Sequence, residues 1–206
     1  MKKSYSNFAV ADIKALGLNV VNGHLFEQIQ PVAPGELLLQ LLAAGEGVPL
    51  QSEKAKSEML ISPLINAVRL KNPKKMTYFS GYQFNVDEKR GLKGFCDFLI
   101  SKKYNAIFIE SPLLAVVEAK HNQDLLDATP QCIAEMYAAQ IFNEREGHPS
   151  TFIYGAVTTG YEWLFLRLAG NNVIVDTARY GLKNIPELLG VWQIVIDSFA
   201  GSEVGG

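Results

Sequence analysis

Two short apolar segments of this chain carry charge where a buried strand tolerates none. The first is Gly94-Phe95-Cys96-Asp97-Phe98-Leu99-Ile100; the second is Leu113-Leu114-Ala115-Val116-Val117-Glu118-Ala119-Lys120. Both are short and rich in aromatic or β-branched residues, which predicts strands. Side chains alternate across a strand, so Asp97 is expected on the face of Phe95 and Leu99, and Glu118 on that of Val116 and Lys120. Ionised groups in such company are costly unless paired or bound to a cation. A fold that contains both segments must bring these charges together.

Simple geometry says what the meeting point can do. Residues two apart on a strand lie roughly 6.6–7 Å apart, and neighbouring strands about 4.8 Å apart. If the two strands are neighbours, Asp97 and Glu118 place carboxylate oxygens around one small hard cation. Magnesium takes oxygen ligands at about 2.1 Å and fills its other positions with water and substrate phosphate. Two carboxylates this close raise each other's pKa unless a cation neutralises them. Lys120, one rung further, then points at the phosphate or at the attacking water. The arrangement suits phosphodiester cleavage.

At these residues the chain resembles the PD-(D/E)XK nuclease superfamily. Asp97 in Gly-Phe-Cys-Asp-Phe matches the family aspartate, and Glu118-Ala119-Lys120 matches its Glu-x-Lys. The 21 positions from Asp97 to Glu118 suit two strands joined by a hairpin. The resemblance implies a further acidic residue on the preceding helix, for which Glu58 is placed, and a glutamine on the following helix, for which Gln131 is nearest. Gly155 to Phe165 looks like the strand pair that follows the core in restriction-subunit relatives. The likeness runs from about residue 52 to 168 and departs in one place: Cys96 stands where the family proline precedes the aspartate. It implies a restriction-endonuclease-like α/β core with a central mixed β-sheet flanked by α-helices. It also implies Mg2+, replaceable by Mn2+, held by Asp97, Glu118 and Glu58, with Lys120 and Gln131 completing the catalytic set.

The 206 residues are expected to form a single domain: a helical extension over 1–50, the nuclease-like core over 51–168, and a C-terminal strand and helix over 169–206. Apolar content of 48% with 19% charge describes a globular chain. A net charge of −2 is a weak argument against tight nucleic-acid binding, which a metal and a local basic patch would offset. Lys71, Lys74, Lys75, Lys89, Arg90 and Lys93 supply either such a rim or solvated loop charges. Cys96 and Cys132 lack the spacing of a zinc site or disulfide framework, and Cys96, which alternates away from Asp97, reads as a small core residue. Polar Ser4-Tyr5-Ser6-Asn7 after Met1-Lys2-Lys3 offers no apolar leader, and no run spans a bilayer; a cytoplasmic protein is expected.

Along the chain, helices are expected over 8–18 and 37–44, with a loop between them. Ser52 is placed to cap a helix to about Leu70. Ile61 and Ile65, three and seven residues after Glu58, predict that Glu58 borders the inward face, although Lys54 could instead pair with it on the surface. Strands are expected over 76–86, 151–159, 161–169 and 173–175, with a short one starting at Ile107. A helix runs from Gln131 to about Glu146, with Gln131 facing the same way as Glu135. Leu188, Trp192, Val195 and Phe199 mark an amphipathic final helix, and the glycine-rich tail is expected to fray. His121 is a polar loop residue with at most a minor claim to a ligand role.

The leading expectation is a metal-dependent nuclease acting on DNA, alone, as a homodimer or with a partner protein. A non-catalytic module that keeps the nuclease fold for binding or scaffolding is the alternative. A buried ion pair without function is the third reading.

Overall fold

The computed structural model describes residues 3–120 and 124–199. His121 and the glycine-rich tail lie outside the described residues. The helices are α1 (Val10–Ala15), α2 (Glu36–Gly45), α3 (Glu53–Lys56), α4 (Ser62–Lys71), α5 (Thr129–Arg145) and α6 (Ile185–Asp197). A π-helical turn, Ser57–Ile61, joins α3 to α4. The strands are β1 (Asn19–Gly23), β2 (Thr77–Gln83), β3 (Phe95–Ser101), β4 (Leu113–Ala119), β5 (Ile153–Thr158), β6 (Glu162–Ala169), β7 (Asn172–Asp176) and β8 (Tyr180–Gly181).

This is an α/β protein with a central mixed sheet flanked by helices. Among the described residues all eight strands join one sheet in the order β1-β7-β6-β5-β4-β3-β2, with β8 pairing β6. β4 and β5 are parallel, as are β1 and β7; the other neighbours are antiparallel. Parallel neighbours need a crossover, and α5 supplies it between β4 and β5. β1 lies in the stretch read from sequence as a loop; Asn-Val-Val-Asn-Gly is exposed or part-buried throughout and carries no burial alternation to announce a strand. Ile107 and Phe108 form no strand and are 77% and 76% exposed. No helix among the described residues is long and apolar enough to cross a membrane.

The sheet separates two cores. On one face α1 and α5 pack on Leu99, Val116, Val157 and Leu166. On the other, α2, α4 and α6 pack on Phe98, Ile100, Val117 and Phe165, with Trp163 and Trp192 edge to face at 5.8 Å. α5 lies close to its strands because Ala, Cys and Met face the sheet and β5 offers Gly155 beneath them. A Cβ at Gly155 would collide with Met136 Sδ and come within 2.8 Å of Cys132 Sγ. Gly155→Ala is therefore expected to cost about 1–3 kcal/mol through overpacking. A urea midpoint equal to that of the wild type would contradict this contact.

Candidate active site

β4 ends in the sequence that carries the charge. Its seven residues are all buried, and alternation sends Val116 and Glu118 toward α5 while Val117 and Ala119 face α4 and α6. Glu118 thus reaches the α5 face at the carboxyl end of a parallel strand pair, where open α/β sheets bind ligands.

Asp97 arrives by a different route from the one strict alternation predicts. Cys96 and Leu99 both pack on the α5 side, while Phe98 and Ile100 pack on the other, so the alternation slips by one residue at Asp97. The neighbouring strand slips opposite it. Gly81, with φ of +70°, stands between Ser80 and Tyr82, which pair Phe98 and Cys96, while no pairing joins Gly81 to Asp97. Glycine adopts that backbone at no steric cost. On its other side β3 pairs β4 only from Phe98↔Val117 onward. Beyond that rung the strands part, and Asp97 Oδ2 accepts the Ala119 N–H at 2.7 Å. Asp97 and Glu118 meet in this gap, not on a regular strand face.

α5 closes the site from above. Lys120 Nζ donates to Glu118 Oε1 at 2.5 Å and to Gln131 Oε1 at 3.2 Å. Gln131 Nε2 in turn donates to Glu135 Oε1 at 3.1 Å. Gln131 and Glu135, one turn apart, share a helix face as their spacing requires. Glu135 is fully buried, and neither its Oε2 nor Glu118 Oε2 has a hydrogen-bond partner.

Burial and crowding push these carboxyls upward. Burial, then the neighbouring Asp97 charge, raises Glu118 to about 8, with Lys120 working against them. Burial, then Glu118, raises Glu135 well above the usual carboxyl range. Asp97 is raised by burial, against the pull of the Ala119 N–H, and further by Glu53. Burial alone would lower the Lys120 ammonium, but Glu118 more than offsets it and holds the group above its ordinary value. Glu118 and Glu135 lie close enough to share a proton. That is how the pair avoids two adjacent buried charges.

No model of a known protein family matches this chain, and no curated protein matches it. The site therefore rests on its own residues. Asp97, Glu118, Lys120 and Gln131 come together; Glu58 does not. Its side chain is 55% exposed and pairs with Lys54 Nζ at 3.0 Å, and the acidic charges that bear on Asp97 are Glu53 and Glu118. The expectation that Glu58 borders the inward face is corrected here, and the π-turn is the reason. Its wider i→i+5 spacing advances each residue by less than the ~100° of an α-helix, so Glu58 and Ile61 do not share a face. Ile61 and Ile65 remain buried.

The acidic complement that sequence reasoning missed is Glu135, with Glu53 further out. Glu135 was visible as the residue one turn after Gln131; Glu53 follows the Ser52 cap, whose Oγ accepts the Ala55 N–H at 3.1 Å. The basic residues before β2 do not ring the site. Lys71, Lys74 and Lys75 precede Thr77, which pairs Ser101 at the far end of β3 from Asp97. Arg90 and Lys93 pair with Asp87 and Glu88 at 2.8 and 3.0 Å.

Among the described residues no group of three or more His, Cys, Asp or Glu side chains is arranged to hold a metal ion. Of the three carboxylates expected as metal ligands, Asp97 and Glu118 meet, and Glu58 does not join them. Two carboxylates suit Mg2+, which completes its shell with water and phosphate oxygens.

Proposed function

We propose that the chain is a metal-dependent nuclease with a restriction-endonuclease-like core, hydrolysing phosphodiester bonds, DNA in the first place. The observation that carries the reading is a remaining negative charge: Asp97, Glu118 and Glu135 crowd together, the two glutamates share one proton, and among the described residues the ammonium bonded to them is that of Lys120. A divalent cation held by Asp97 and Glu118 offsets it. When bound, such an ion lowers the pKa of a water and stabilises charge developing on the scissile phosphate.

The chain's own groups do the rest. The Ala119 N–H fixes Asp97 through Oδ2. Lys120, held above its ordinary pKa, enters as an ammonium; it neutralises phosphate charge and orients the attacking water, and leaves deprotonation of that water to another group. Gln131 keeps the ammonium in place.

The 2.5 Å Lys120–Glu118 contact favours a second reading, a structural ion pair. That pair neutralises one carboxylate and leaves Asp97 with a backbone N–H as its hydrogen-bond donor. The absence of Glu58 from the cluster favours the other alternative, a non-catalytic nuclease-fold module.

Calorimetric titration with Mn2+ separates them. One ion is expected to bind the wild type and Glu58→Ala alike, and to be lost in Asp97→Ala. No binding at millimolar Mn2+ would retire the nuclease reading.

A further inference from the structure

The end of the sheet opposite the carboxylate gap carries an exposed apolar loop. It joins β3 to β4 over 102–112 and reads Lys-Lys-Tyr-Asn-Ala-Ile-Phe-Ile-Glu-Ser-Pro. Hydrogen bonds close its neck: Lys102 N–H donates to Pro112 O at 3.0 Å, and Ser101 Oγ accepts the Lys103 N–H at 3.0 Å and donates to Glu110 O at 2.7 Å. Ala106 and Ile109 pack on the core beneath α5. Ile107 and Phe108, between these anchors, have the highest exposures of any large apolar residues described. The fold holds this pair out in water, and nothing in the packing accounts for it.

Basic residues surround the loop. Thr77 pairs Ser101, so Lys74 and Lys75 reach the same strand end as Lys102 and Lys103. Their turn is fixed by buried Asn72, whose Nδ2 donates to Val68 O at 3.0 Å and to Gln193 Oε1 at 3.1 Å. Asn66 and Arg69 of α4 line one hollow with Tyr104, Asn105 and Ala106, and a second with exposed Leu37, Leu41 and Leu70. A single surface thus runs from these leucines across Arg69 to the loop. Its acids are Asp197, 3.3 Å from Lys75, Glu110, 3.9 Å from Lys103, and Glu36, which accepts from Gln40 Nε2. Lys71 and Lys74 form no ion pair among the described residues.

We propose that this surface docks on an anionic phospholipid bilayer, with Ile107 and Phe108 entering the acyl boundary and the lysines meeting the headgroups. Charge points to that occupant. The chain carries −2 overall, yet at this end Arg69, Lys71, Lys74, Lys75, Lys102 and Lys103 outnumber the acids. Such a patch attracts an anionic surface against the sign of the whole molecule. Layering agrees with it: lysines stand at the neck of the loop and the apolar pair further along, in the order of headgroup and hydrocarbon. A short apolar anchor binds marginally alone and needs a basic cluster beside it. Nucleic acid could stack on Tyr104 and Phe108 but offers nothing to Ile107, Leu37 or Leu70. The inference goes beyond the nuclease reading and stands without it. Docking leaves the carboxylate gap open, because Asp97 lies roughly 13 Å along β3 from Ser101.

The test is co-sedimentation of the full chain with phosphatidylcholine vesicles, with and without about one-third phosphatidylserine. Binding is expected with the anionic vesicles and should weaken as salt rises above about 0.1 M. Ile107→Ser with Phe108→Ser is expected to lower partitioning about tenfold or more, and Lys71→Glu with Lys74→Glu by a similar factor. All four residues are exposed, so both double variants should keep the wild-type melting temperature and Mn2+ titration. Phe108→Trp fluorescence should be quenched by brominated acyl chains, from which buried Trp163 and Trp192 are shielded. Equal sedimentation with neutral and anionic vesicles, no sedimentation, or anionic binding without quenching overturns the proposal. An oligonucleotide bound in EDTA through Lys71 and Lys74, with vesicles ignored, overturns it in favour of nucleic acid. A dimer that Ile107→Ser with Phe108→Ser dissolves, again with vesicles ignored, overturns it in favour of a second copy. In each case unchanged Mn2+ binding leaves the nuclease reading standing.

Discussion

Lys120→Ala is expected to reduce metal-dependent phosphodiester cleavage by about 10²- to 10⁴-fold, the range spanned by one positioned proton-transfer or charge-stabilising group. Calorimetric Mn2+ binding should survive, because the ion's donors are Asp97 and Glu118. Binding should even tighten: Glu118 Oε1 loses its 2.5 Å ammonium partner and becomes available to the ion. Lys120→Arg keeps the charge but not the compact ammonium that fits between Glu118 and Gln131, so rescue is expected to be partial at best. Full activity in Lys120→Ala would remove the residue from the chemistry. Loss of metal binding together with activity would instead make it a structural partner of Glu118.

The second large effect is on stability. Glu118 rises from 4.5 to about 8 on folding, so the folded protein holds its proton more tightly than the unfolded chain does. Between those two values the folded state binds the extra proton, and stability falls as pH rises. The full interval corresponds to roughly 5 kcal/mol, an upper figure because the proton is shared with Glu135. Metal-free protein is expected to be most stable near pH 5 and to lose stability steadily toward pH 8. Below that window the salt-bridged Asp87, whose pKa Arg90 lowers, reverses the trend, because its contribution is lost in acid. Divalent cation should restore stability at pH 8 and above, where it replaces the proton. Urea midpoints at pH 5, 7 and 9, with and without Mn2+, measure both effects. Glu118→Gln should flatten the profile; an unchanged slope in that variant would assign the titration elsewhere.

The pattern of residues in β3 and β4 was enough to pair these strands and to put Asp97, Glu118 and Lys120 in one place. Buried apolar strands have few ways to carry charge, and the short connection between them favours an antiparallel pair. Ser52 as a cap, Gln131 beside Glu135, and the stripe of the last helix were equally legible, because each rests on a local hydrogen bond or on helical spacing. Glu58 was not legible: its phase depends on a π-turn, which no propensity in Ser-Glu-Met-Leu-Ile announces. The Gly81–Asp97 slip was also hidden, since it requires two paired strands to switch the facing of their side chains together while keeping register. β1 owes its existence to the free edge of β7, a partner about 150 residues away.

The sequence by itself determined that Asp97, Glu118 and Lys120 converge, through the cost of burying charge among Phe98, Leu99, Val116 and Val117. Only the tertiary structure decided how they converge. It opened β3 from β4 at Asp97, laid α5 across Gly155 so that Glu135 sits beside Glu118, and turned Glu58 outward. Those outcomes depend on close approach between segments far apart in the chain, and local spacing carries no information about such contacts.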